Sequence, residues 1–241
     1  MFTAGHFIWL GVLGVIIAAA LVSIKIFRIP HVAVRKAVFV TMIVLKLFHL
    51  CLSMKESPYG GFVISQTQLS FHLCSLMIYL IVLTNVIRNE KFVSVMQSFM
   101  VPCMLIGAAM ALLIPTEGVS AAVPRVWQYM LIHGGLVFYG IYLMVYEKAD
   151  LTFRAFLCNL KLLLIVVVAA FLMNSVLEQY EVNFLFLREP PMEGLPILNL
   201  NNGWFVYFIS LAIIACGLLF LVHLPFVIRG CKRKKTQKTA A

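Results

Sequence analysis

Seven apolar runs follow one another along the chain, at about Ala4–Phe27, Val34–Met54, Leu69–Ile87, Phe92–Ile114, Val126–Tyr146, Phe153–Leu177 and Trp204–Ile228. Each exceeds the roughly 18 residues that mark a helix able to cross a hydrocarbon core of about 30 Å. Polar residues fall mainly between the runs, in short connections that leave no room for a second domain. The pattern predicts an all-α membrane protein, a bundle of seven transmembrane helices. It forms one polytopic domain over residues 1–229, followed by a basic tail at 230–241. The longest connection, Glu178–Gly203, carries Pro190, Pro191, Gly194, Pro196, Asn199, Asn201 and Asn202 and reads as an ordered but irregular loop.

Charge orients the bundle. With the C-terminus on the cytoplasmic side, 14 of the 19 Lys and Arg residues fall on inner segments. Only Lys55, Arg125 and Arg188 fall outside, together with six of the nine acids. That is the positive-inside bias, and an odd number of spans then puts the N-terminus outside. The first run has no basic residue before it, so it reads as a retained span and not as a removable signal peptide.

Composition closes off other classes. The chain is 63% hydrophobic and 12% charged, with a mean hydropathy of +1.01. A soluble domain is about 45–50% apolar and about 25% charged. A soluble fold, a disordered chain and a nucleic-acid binder are excluded, and the net charge of +10 is a topology signal. The expected location is the cell membrane, as a multi-pass protein. The six cysteines are scattered without a CxxC pair, so neither a disulfide framework nor a zinc knuckle is expected.

Ionisable groups at membrane depth are costly, and each is a functional candidate. Cys74 lies about 7–8 Å below the outer end of the third run, and His133 about 10 Å below that of the fifth. His6 starts the first run and His72 the third, so three histidines and a cysteine share one layer near the outer face. A thiolate is a nucleophile, and an imidazole within hydrogen-bond reach activates it. His72 and Cys74 are two residues apart on one helix and point away from each other, so His133 is the expected base for Cys74. His72 is left to orient the base or donate to an oxyanion. Two other readings stand beside this one. A cysteine in a span is also an ordinary packing residue, and His6, His72 and His133 together could ligate a metal, although no HxxxH or HExxH spacing supports that.

Other polar residues fill in the surroundings. Arg125, Gln128 and Tyr129 form the outer mouth of the fifth run, and Tyr129 shares a helix face with His133. Glu117 could orient a histidine, and Asn174 and Asn183 could line the same cavity. Gly134 and Gly135 allow close approach of another helix or a lipid chain. Lys46 and Lys161 are expected to snorkel inward, the rival role being an anionic headgroup site. His49 shares a face with Lys46, and His31 and His223 receive no role.

These residues make the sequence resemble the YwaF family of bacterial integral membrane proteins, over nearly the whole chain. The pieces are Phe2-Thr3-Ala4-Gly5-His6, Phe71-His72-Leu73-Cys74, and Arg125-Val126-Trp127-Gln128-Tyr129 followed by His133-Gly134. Asn183-Phe184-Leu185-Phe186-Leu187 with Pro190, and Leu224-Pro225-Phe226, add weaker matches. A eukaryotic relative in that superfamily is regarded as an acyltransferase acting on ether phospholipids. The resemblance implies a nucleophile at Cys74 and its histidine partner at His133.

An outward-facing site is out of reach of acyl-coenzyme A, which is charged and made inside. The expected reaction is therefore transacylation between membrane phospholipids and lysolipids through a Cys74 thioester, with no cofactor. Two alternatives remain: a lipid or small-molecule binding or transport protein without covalent chemistry, and a His-ligated, metal-dependent lipid hydrolase.

Overall fold

Long apolar runs become helices because backbone polar groups have no water partner inside a bilayer. The computed structural model describes residues 3–56, 62–64, 72–115, 118–192 and 194–239. Glu117 and the start of the third run at Leu69 lie outside the described residues. Each of the seven runs contains a helix, and the chain is mostly helical. It divides into two compact units, Met1–Ala149 and Asp150–Ala241.

In the first unit, α1 (Ala4–Ile26) starts where the Thr3 hydroxyl accepts from the His6 amide. Helix α2 (His31–Leu52) begins behind Pro30, and α3 spans Leu73–Val86. Asn89 caps α4 (Glu90–Cys103), its side chain accepting from the Phe92 amide at 3.1 Å. Pro102 interrupts the hydrogen-bond ladder of this helix, which continues through a π-helical turn, Met104–Ala108, into α5 (Ala109–Leu113). Pro124 opens α6 (Pro124–Val145) at a position where its missing N–H costs nothing.

Helix α6 is central, packing against α1, α2 and the α4–α5 helix. Two glycines permit this. A Cβ on Gly134 would come within 3.0 Å of Leu13 on α1, and one on Gly135 would overlap the end of Met42 on α2. Near the start of α6, Trp9, Leu13, Leu112, Val126 and Met130 form an apolar cluster. The outer side of α1 presents Phe7, Ile8, Val12, Val15 and Ile16 as exposed side chains, as a lipid-facing helix does.

In the second unit, Thr152 caps α7 (Phe153–Val176), and α8 runs from Trp204 to Thr239. The loop between them contains two 3₁₀ turns, Glu178–Tyr180 and Phe184–Phe186. Leu185 and Phe186 take positive φ there, and the Phe186 carbonyl accepts from the Tyr207 hydroxyl. Asn174 is buried and holds Phe184 at both backbone groups. Its amide donates to the carbonyl at 3.1 Å, and its oxygen accepts from the N–H at 2.8 Å. Asn174→Ala leaves two buried backbone groups without partners, an expected loss of about 2–4 kcal/mol. A thermal melt in detergent reads it, and an unchanged midpoint would mean the loop is held elsewhere.

The helical architecture agrees with the expected all-α membrane protein, with one small hairpin beside the helices, β1 (Met54–Glu56) antiparallel to β2 (Phe62–Ile64), which pairs Lys55 with Val63. Among the described residues, five helices, α1, α4–α5, α6, α7 and α8, are long and apolar enough to cross a membrane. Helix α2 is long but carries Arg35, Lys36 and Lys46, which dilute its apolarity. Helix α3 has 14 residues, about 21 Å of rise against a core of about 30 Å.

Candidate functional site

The polar residues singled out in the first unit gather where α1 and α6 start and α2 and α5 end. The His6 ring is buried and its Nε2–H donates to the Leu112 carbonyl at 2.8 Å, tying α1 to α5. Trp9 donates to the Val119 carbonyl at 3.1 Å and meets the edge of Trp127, which in turn donates to the Ala121 carbonyl. Gln128 is buried, and its carboxamide oxygen accepts from His49 Nδ1 at 3.1 Å. The Tyr129 hydroxyl donates to the Ala111 carbonyl at 2.8 Å. Arg125 is half-buried one turn before Tyr129.

His133 is half-buried with its ring centroid 4.2 Å from that of Tyr129. Its Nδ1 lies 2.8 Å from the Tyr129 carbonyl oxygen. A carbonyl only accepts, so Nδ1 carries the proton. In the neutral ring this leaves Nε2 with a free lone pair, the form a base requires. The tautomer is therefore set by the backbone of the same helix, four residues back, and no carboxylate takes part. His49 on α2 bears on His133 electrostatically, which places a second imidazole nearby.

Cys74 sits in the first turn of α3, half-buried. A Cβ on Gly107, within the π-helical turn, would lie 3.6 Å from its sulfur. Cys103, one residue before that turn, also bears on it. The π turn thus forms one wall at the thiol. Helices α3 and α6 touch, but no hydrogen bond joins Cys74 to His133 among the described residues. His72 stands just before α3 without capping it through its side chain, and the Lys46 ammonium bears on it electrostatically.

His6, His72 and His133 do not converge. Among the described residues no group of three His, Cys, Asp or Glu side chains could hold a metal ion. The reason is visible for His6, whose ring is turned onto the Leu112 carbonyl. In the second unit, Asn183 serves its own loop: its amide donates to the Glu189 carbonyl, and its oxygen accepts from the Arg188 N–H.

Three arrangements escaped the sequence reading. The first is the His49–Gln128 bond. The second lies at the opposite end of the first unit. There His31 Nδ1 lies 2.7 Å from the Tyr142 hydroxyl, which donates to Glu147, and Glu147 is held by both Nε and Nη2 of Arg35. Opposite charges at one end of the bundle were the available signal. The third is in the second unit, where the buried His223 donates from Nδ1 to the Leu219 carbonyl and lies 3.1 Å from Asn159.

Compared with curated proteins and with solved structures, the chain matches none. The resemblance to the YwaF family does not stand. It rested on short elements such as His72-Leu73-Cys74, whereas the model of a different family matches residues 1–223. With that match spanning nearly its whole length, the chain belongs to the TMEM164 family.

Proposed function

We propose that the protein is a membrane lipid transacylase that works through a thioester on Cys74, with His133 as the base. The observation that carries this reading is the bond from His133 Nδ1 to the Tyr129 carbonyl, which leaves Nε2 free to take a proton. Cys74 lies on α3, which packs against the same helix α6. In unliganded sites such pairs are often separated and tighten around substrate. The thiol proton passes to Nε2 while sulfur attacks the ester carbonyl of a phospholipid. The ester C–O bond breaks, the departing lysophospholipid takes that proton, and the acyl group stays on Cys74. A lysolipid hydroxyl then attacks the thioester, gives its proton to Nε2, and the sulfur leaves and recovers a proton.

The same reading takes all seven helical segments as spans, N-terminus outside, in the cell membrane. Its support is the distribution of Lys and Arg. That sidedness opens the Cys74 end to the outer leaflet and makes a resident phospholipid the acyl donor.

A second reading, lipid binding without covalent chemistry, draws on the Cys74 thiol lying against Gly107 with no imidazole bonded to it among the described residues. One experiment separates them. Purified protein is incubated with phospholipid of defined acyl chains and its peptides are weighed by mass spectrometry. A hydroxylamine-sensitive adduct on Cys74 that tracks the supplied chain, absent in Cys74→Ala, is expected. No adduct, with Cys74 inert to alkylation at neutral pH, would sink the transacylase and leave the binding protein.

A further inference from the structure

At the end of the first unit away from His133, a cleft of about 370 Å³ opens between three helices. Helix α4 contributes Glu90, Ser94 and Gln97, spaced i, i+4, i+7 on one face. The end of α3 contributes Thr84 and the residue Arg88 just beyond it, and α2 contributes Arg35. None of these residues takes part in the chemistry proposed for Cys74.

Two features say that the cleft is built for a ligand. Gln97 lines it and is 7% exposed as a whole residue, and its carboxamide makes no hydrogen bond among the described residues. Its amide atoms are not sealed from the cleft, so they are placed to pair with a ligand there. Arg88 is exposed at the rim and likewise has no carboxylate partner among the described residues. Arg35 is held in place by Glu147 through Nε and Nη2, and its Nη1 has no partner among the described residues. The first turn of α4 adds the positive end of a helix dipole.

The charge balance narrows the ligand. Arg35 and Arg88 are offset by Glu147 and Glu90, so the surroundings are neutral in sum but separated in sign. A free phosphate dianion fits this poorly. A phosphodiester that also carries an ammonium fits both signs. We propose that the cleft binds the headgroup of a zwitterionic phospholipid. Its phosphodiester is held by Arg88, Gln97 and the edge of Arg35, and its ammonium is held near Glu90. The Lys and Arg bias places this end at the inner leaflet, so the site is separate from the outward-facing thiol.

The test uses the full chain in the Cys74→Ala background, where no acyl transfer can consume the probe. Native mass spectrometry in detergent compares retention of phosphatidylcholine and phosphatidylglycerol at an activation that strips bulk lipid. The unsubstituted cleft should retain phosphatidylcholine at least about tenfold better than Arg88→Gln or Gln97→Leu, the usual scale for losing a charge-assisted hydrogen bond. Glu90→Gln should remove the preference over phosphatidylglycerol. Displacement by glycerophosphocholine at millimolar concentration would identify a soluble phosphodiester as the source, with the same recognition chemistry. Equal retention by the unsubstituted cleft and both variants would overturn the proposal, as would equal binding of the two lipids before Glu90 is changed. Arg88 lies at the surface, so its variant reports on binding even if Gln97→Leu fails to fold.

Discussion

Replacing His133 with glutamine is expected to slow formation of the Cys74 acyl adduct by about 10²–10⁴-fold, the usual contribution of a positioned general base. Glutamine keeps much of the ring's reach, and its amide can still donate to the Tyr129 carbonyl. It cannot take up a proton at neutral pH. The comparison that gives the result meaning is Tyr129→Phe. It removes the hydroxyl that donates to Ala111 but leaves the carbonyl that holds His133 Nδ1. If the backbone sets the tautomer, the phenylalanine variant keeps most of its adduct rate while the glutamine variant loses nearly all of it. Single-turnover mass spectrometry reads both. Equal rates for wild type and His133→Gln would remove the imidazole from the mechanism. A collapse in Tyr129→Phe alone would assign the control to the phenol.

The helices were legible because a bilayer tolerates so few alternatives. An apolar run must satisfy its backbone internally, so α1, α6 and α7 begin and end within two residues of the expected limits. Depth was legible too: rise per residue put His6, Gln128, Tyr129 and His133 at one end, and the structure gathers them there. Azimuth and partner were not. His49 was grouped with Lys46 because the two share a helix face, but its ring turns to Gln128, 79 residues away. Periodicity along one helix says nothing about which neighbour it faces. The three-histidine layer failed as a metal site for the same reason, since equal depth is not convergence. The family reading failed differently. A few residues around His72 and Cys74 recur by chance more readily than a pattern spread over residues 1–223. The π turn beside Cys74 had a visible cause in Pro102, but its consequence depends on Gly107 meeting that sulfur across helices.

Glu147→Gln should lower stability by about 2–4 kcal/mol, and by an amount that depends on pH. Glu147 stands just past the end of α6, its side chain 9% exposed. Its carboxylate accepts from Arg35 and Tyr142 and lies 3.4 Å from His31, so a single residue fastens α6 to the start of α2. Glutamine keeps the shape but leaves the Arg35 guanidinium, 32% exposed, without its counter-charge. Burial alone would raise the Glu147 carboxyl. The Arg35 hydrogen bond and charge, the Tyr142 hydroxyl and His31 outweigh it and hold the group below the ordinary carboxylate range. A carboxyl depressed in the folded state contributes its full stabilisation above its unfolded value, about 4.3. That stabilisation is lost as pH falls through the lower folded value. The gap in melting temperature between wild type and Glu147→Gln should therefore be constant from about pH 6 to 8 and shrink at pH below about 4. A gap that stays constant into acid would mean that Glu147 acts by shape and hydrogen bonding alone. A gap absent at every pH would mean that the junction of α2 and α6 does not depend on this ion pair.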